Sequence, residues 1–122
     1  DWYRSRGLGD VYKRQPLVPA GGCRDFFLHL KEDKLQDAIS LLQEPLAEKA
    51  EVHKVHDLLE AGFFGHSVSE NLRSRIGNLV ILPYYGESVW WYEKNRFEQN
   101  MLGHHGGLTR EEMEIPLLAL CL

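Results

Sequence analysis

Asn78-Leu-Val-Ile-Leu-Pro83 (NLVILP) is an almost unbroken apolar run of strand length. A strand with apolar residues on both sides needs cover on both of its faces, which is the habit of α/β layer structures. Downstream, Gly86 turns the chain and Ser88 to Tyr92 (SVWWY) reads as an antiparallel partner. Upstream, Arg24 to Leu30 (RDFFLHL) is short, aromatic and branched, which favours a strand. Asp33 and Gln36 then have the spacing of an N-cap pair. Leu35, Ala38, Ile39 and Leu42 follow as one helical stripe, which Pro45 ends. Ala50 to Val55 alternates like a half-buried strand, completing a β-α-β unit with an expected right-handed crossover. His56 to Ala61 predicts a short helix closed by Gly62. Ser67 with Glu70 predicts a capping box. The last stretch, Ile115 to Leu122 (IPLLALCL), reads as a buried strand, too short for a membrane span.

The two ends of the chain differ in kind. Asp10-Val-Tyr-Lys-Arg-Gln15 is what the codons GAT GTG TAT AAG AGA CAG encode, the end of a common transposase sequencing adapter read in frame. Residues 1–15 are therefore set aside as adapter-derived, and 16–122 are taken as the natural part. The chain has 122 residues, 14 Lys+Arg and 18 Asp+Glu. Without the four basic and two acidic residues of the adapter stretch, 10 basic face 16 acidic ones, a charge of −6. That size suits one domain, and that charge argues against general nucleic-acid binding. No apolar run reaches the roughly 18–20 residues of a membrane span. Cys23 and Cys121 lie too far apart for a CxxC, so they read as small buried hydrophobes. An adapter fused in frame also implies that the natural N-terminus is missing and that the chain is the tail of a longer protein. The compartment is left open, with the cytoplasm slightly favoured.

The chemistry-bearing stretch is Gly103-His-His-Gly-Gly-Leu-Thr-Arg-Glu-Glu-Met113. Two imidazoles sit on permissive backbone that can approach a ligand closely. Thr109 and Glu112 are spaced as a capping box for a following helical turn, and helix-dipole complementarity accounts for Glu111 as well. On spacing alone the two histidines do not close a zinc site, which needs three or four ligands, so a plain surface loop stays open as a reading. Arg73 and Arg75 could fork a phosphate or lie on a solvated helix face. Trp90, Trp91 and Tyr92 could form a stacking platform or pack into the core.

Gly103 to Leu118, GHHGGLTREEMEIPLL, resembles the C-terminal motif of the alkaline-phosphatase superfamily, in its type I phosphodiesterase/nucleotide pyrophosphatase branch. The approach is similar too, with GFFG at Gly62–Gly65 and LRSRIGNLVILP at Leu72–Pro83. The likeness covers roughly Gly22 to Leu120. Its most specific part is His-Gly followed by Leu-Thr, an acidic-Met pair and Pro-Leu-Leu. The resemblance implies an alkaline-phosphatase-like α/β sandwich, of which this chain supplies a small β-α-β subdomain and the closing metal loop. It implies a two-metal site, usually zinc, whose last ligand maps onto His105. His104 stands where relatives often carry a small residue, and it either touches substrate or caps the loop. The implied reaction is hydrolysis of a phosphate ester or nucleotide through a Thr or Ser nucleophile between the metal ions.

The nucleophile and the other ligands lie upstream in that family, and His29, His53 and His56 match none of them. The chain alone is thus expected to be inactive, with the missing core of the same protein as its partner. Phosphomonoesterase, sulfatase and phosphonate-hydrolase activities use related sites. The rival reading is a stand-alone, non-catalytic α/β interaction module with SVWWY as its contact surface.

Overall fold

The structure is a computed structural model that describes residues 19–90 and 101–121. The adapter-like residues 1–15, Trp91, Tyr92 and Leu122 lie outside the described residues. The elements run β1 (Ala20–Gly21), β2 (Phe26–Leu28), α1 (Glu32–Gln43), β3 (Ala50–Lys54), α2 (Val55–Glu60), α3 (Glu70–Arg75), β4 (Leu79–Pro83) and α4 (Arg110–Met113). The class is mixed α/β, as the sequence predicts.

The strands form one sheet in the order β1-β2-β4-β3, every neighbouring pair antiparallel. NLVILP supplies the central strand, with Phe26 opposite Ile81 on one side and Val52 opposite Ile81 on the other. The β-α-β unit is split: β2 and β3 run parallel to each other, but β4 is inserted between them. A strand inserted from later in the chain leaves no mark in the local β-α-β pattern.

Alternation along the strands sends side chains to two separate cores. Phe26, Leu28, Leu79 and Ile81 face α1, where Ala38, Ile39 and Leu42 are buried against them. Phe27 and Val80 face the other way, onto Val55 and Leu58 of α2 and onto Ile76. Leu79 and Val80 are both fully enclosed, at 0 % exposure, which is the two-sided burial that the apolar run demands.

Two backbone devices join β4 to β2. Gly77 adopts φ +67°, and a Cβ there would lie 2.2 Å from the Leu28 carbonyl oxygen, so only glycine fits. Asn78 then acts as an extra ladder rung: its Nδ2 donates to the Leu30 carbonyl (2.8 Å) and its Oδ1 accepts from the Leu30 N–H (2.9 Å).

Several local expectations shift. The strand expected over Arg24–Leu30 is only Phe26–Leu28 (β2), and Arg24 instead enters the ion pair described below. Asp33 lies inside the first turn of α1 and Lys31 is its N-cap, with no side-chain cap bond. The cap of α3 is Ser69, whose hydroxyl accepts from the Leu72 N–H (3.2 Å), rather than Ser67. Ala20–Gly21 pairs with β2 as a two-residue edge strand.

Two larger expectations fail. Residues 88–90 form no strand; the Val89 N–H donates to the Cys23 carbonyl (2.9 Å) and Trp90 tilts against Phe26, with 6.4 Å between ring centroids. Ile115 to Cys121 is not a buried strand either: it has no regular structure, pairs with nothing in the sheet and is exposed, Leu117 at 92 %. Its apolar pattern states a need for cover that β1 to β4 do not meet. Cys121 is accordingly exposed, whereas Cys23 is buried as expected. Among the described residues no helix is long and apolar enough to cross a membrane.

Candidate functional site

The Gly103–Gly107 loop is held from its C-terminal side. Thr109 is the N-cap of the single turn α4 and forms the expected capping box with Glu112. The Thr109 hydroxyl donates to Glu112 Oε2 (2.7 Å), and the Thr109 N–H donates to the same oxygen (3.2 Å). On the outer side of the turn Arg110 pairs with Glu114 (2.8 Å), a solvent-exposed contact of small energetic weight.

Glu112 has a second set of bonds, which capping alone does not explain. Arg24, between β1 and β2, reaches it bidentately, Nε to Oε1 at 2.8 Å and Nη2 to Oε2 at 2.9 Å. Arg24 is only 8 % exposed, and its Nη1 donates to the carbonyls of Tyr84 (2.8 Å) and Glu87. A buried guanidinium with a carboxylate and two carbonyls on its fork has the partners that burial requires. The hydrogen bonds from Arg24 hold the Glu112 carboxyl far below the usual carboxylate range against the opposing cost of burial, helped by the Gly107 and Thr109 N–H groups and the Thr109 hydroxyl. Arg24 is raised in turn, chiefly by its bond to Glu112.

The two glycines after the histidines differ. Gly107 is buried, and a Cβ on it would lie 2.8 Å from the Arg24 carbonyl oxygen and 3.2 Å from Glu112 Oε2. A Cβ on Gly106 would meet Glu112 at 3.5 Å, an ordinary contact. The loop therefore lies as close to Arg24 as a glycine permits, one residue beyond Gly106.

His105 and His104 stand on this anchored base. Both are exposed, and among the described residues neither ring has a hydrogen-bond or ion-pair partner. Among the described residues no group of three or more His, Cys, Asp or Glu is placed to hold a metal ion. His105 alone does not close a metal site, so the described residues by themselves do not hold the two-metal centre that the resemblance implies.

The other candidates are dispersed. His53 pairs with Glu51 (2.8 Å) and His56 with Glu60 (3.3 Å), each locally. Arg73 and Arg75 are exposed on the six-residue α3. Trp90 is 40 % exposed, and its contact with Phe26 makes it in part a core side chain. Sequence reasoning misses Arg24 and the second role of Glu112, since the partners are 88 positions apart and neither belongs to a periodic pattern. The one available signal is an arginine at the edge of an apolar, aromatic run, where burial is costly unless it is paired. Compared with known proteins, the chain matches no protein-family model, and no curated protein or solved structure matches it.

Proposed function

We propose that residues 16–122 are the C-terminal part of a metal-dependent phosphoric ester hydrolase of the alkaline-phosphatase type, in its phosphodiesterase/nucleotide pyrophosphatase branch. In this reading the chain contributes His105 as the last ligand of a two-metal, zinc-type centre. The observation that carries it is the contrast within the GHHGG motif: a base fixed by a buried ion pair, carrying two imidazoles that bond to nothing described in their own chain. The exposed apolar stretch Ile115–Leu120 supports the same reading, since it asks for a cover of the kind that the catalytic core of such an enzyme would supply.

In such an enzyme His105 would help to hold two divalent ions, which would supply Lewis-acid activation of the nucleophile. This chain performs no step of that chemistry alone. Its own part is to offer the His105 ring on backbone that Gly106 leaves open, with Gly107 and Glu112 fixing where that backbone runs. His104, beside it and equally exposed, is assigned to substrate contact or to capping the loop.

Substitution of each imidazole in the intact enzyme tests the reading. His105→Ala is expected to cut phosphodiester turnover about 100-fold or more and to empty one of the two metal positions by elemental analysis. His104→Ala is expected to cost far less. Unchanged turnover and metal content in His105→Ala would overturn the assignment of His105 as a metal ligand.

A further inference from the structure

The geometry points to Arg24 as the positioning residue of this loop, acting through Glu112 and Gly107 without an observed contact to either imidazole. Its guanidinium is a three-way joint. Nε and Nη2 hold both oxygens of Glu112, and Nη1 holds the turn after β4 through Tyr84 and Glu87. The backbone of the same residue completes the joint, because the Arg24 carbonyl occupies the space that any side chain on residue 107 would need. One residue thus ties together the β1–β2 connection, the end of the central strand and the start of α4. His105 is separated from the fixed Gly107 by Gly106 alone. Lysine would not replace this arrangement, since one ammonium lacks the planar fork that serves a carboxylate and two carbonyls at once.

The purpose of the joint rests on the reading of His105 as a metal ligand; its geometry does not. In the full chain, Arg24→Lys and Glu112→Gln are each expected to speed amide hydrogen exchange at Gly107 to Glu114 about tenfold or more, while the β4 amides change less than twofold. Should Arg24→Lys fail to fold, Glu112→Gln carries the test, because it leaves Arg24 bonded to Tyr84 and Glu87.

In the intact enzyme the same Glu112→Gln change, probed with zinc alone, is expected to weaken zinc binding about tenfold. A residue that served only global folding would lower yield but not affinity per folded molecule. Unchanged loop exchange in Glu112→Gln overturns the positioning role. Zinc lost in His105→Ala but bound normally in Glu112→Gln also overturns it, and leaves the hydrolase reading standing. Zinc retained in His105→Ala, together with a freed loop in Glu112→Gln, removes the hydrolase reading and upholds Arg24 as the anchor.

Discussion

Between Ala20 and Pro83 the strands find their neighbours within the chain, and both faces of the sheet are covered by helices packed on Leu79 and Val80. From Met101 to Cys121 Gly107 is the one buried residue among those described, and a charged pair holds the segment in place. The first region follows the ordinary economy of folding, in which apolar area removed from water stabilises the elements that remove it. The second does the reverse: its large apolar side chains stay in water while a carboxylate and a guanidinium are drawn inward. A segment that leaves Leu117 and Leu118 exposed does not fold for its own stability. What holds it is the base of the GHHGG loop, fixed to Arg24 through Glu112.

This contrast predicts a graded set of responses. Leu79→Ala should have the largest effect, about 4 kcal/mol by urea unfolding, because the cavity opens inside the α1-facing core, where Leu79 is fully enclosed. A loss under 1 kcal/mol would mean that the sheet is not the stable unit. Asn78→Ala should cost about 2 kcal/mol, since it strands the N–H and carbonyl of the buried Leu30. Wild-type stability there would show that water reaches those groups.

Glu112→Gln should release about 2 kcal/mol locally, seen as lost loop protection with little change in the global midpoint. An equal drop in the global midpoint would merge the two regions into one cooperative unit. The pH dependence follows from the same pair. The folded pKa of Glu112 lies below its unfolded value, so the pair contributes fully above about pH 4.3 and is lost as pH falls from there toward the folded value. Loop protection should be level from pH 8 to about 5 and fall below about 4, and Glu112→Gln should abolish that dependence. Leu117→Ser with Leu118→Ser should change stability least, within about 0.5 kcal/mol, since neither side chain is buried. A larger loss would mean that the tail packs on this domain.

How much of this was legible depended on whether the deciding interaction was local. The central strand could be read from NLVILP, α1 from the stripe through Leu42, the end of α2 from Gly62, and the start of α4 from Thr109 and Glu112, because each rule spans a few residues. The insertion of β4 between β2 and β3 could not, since pairing partners are set by packing across the whole chain. Ile115–Leu120 misled for an instructive reason: apolarity on both faces states that a strand wants cover, and says nothing of which sheet provides it. In the candidate site His104 and His105 were visible by residue type. Their anchor was not, since Arg24 and Glu112 become a pair only in three dimensions.

The proposal that His105 is one ligand of a site completed by residues outside this chain is tested most directly by reading the source DNA upstream of the Pro16 codon. The account predicts an open frame running on for some hundreds of codons, with a Thr or Ser nucleophile and the Asp and His ligand pairs of a two-metal phosphohydrolase. A start codon immediately upstream would contradict it, leaving His105 without the rest of a site and the chain an α/β module with an anchored but unpartnered loop.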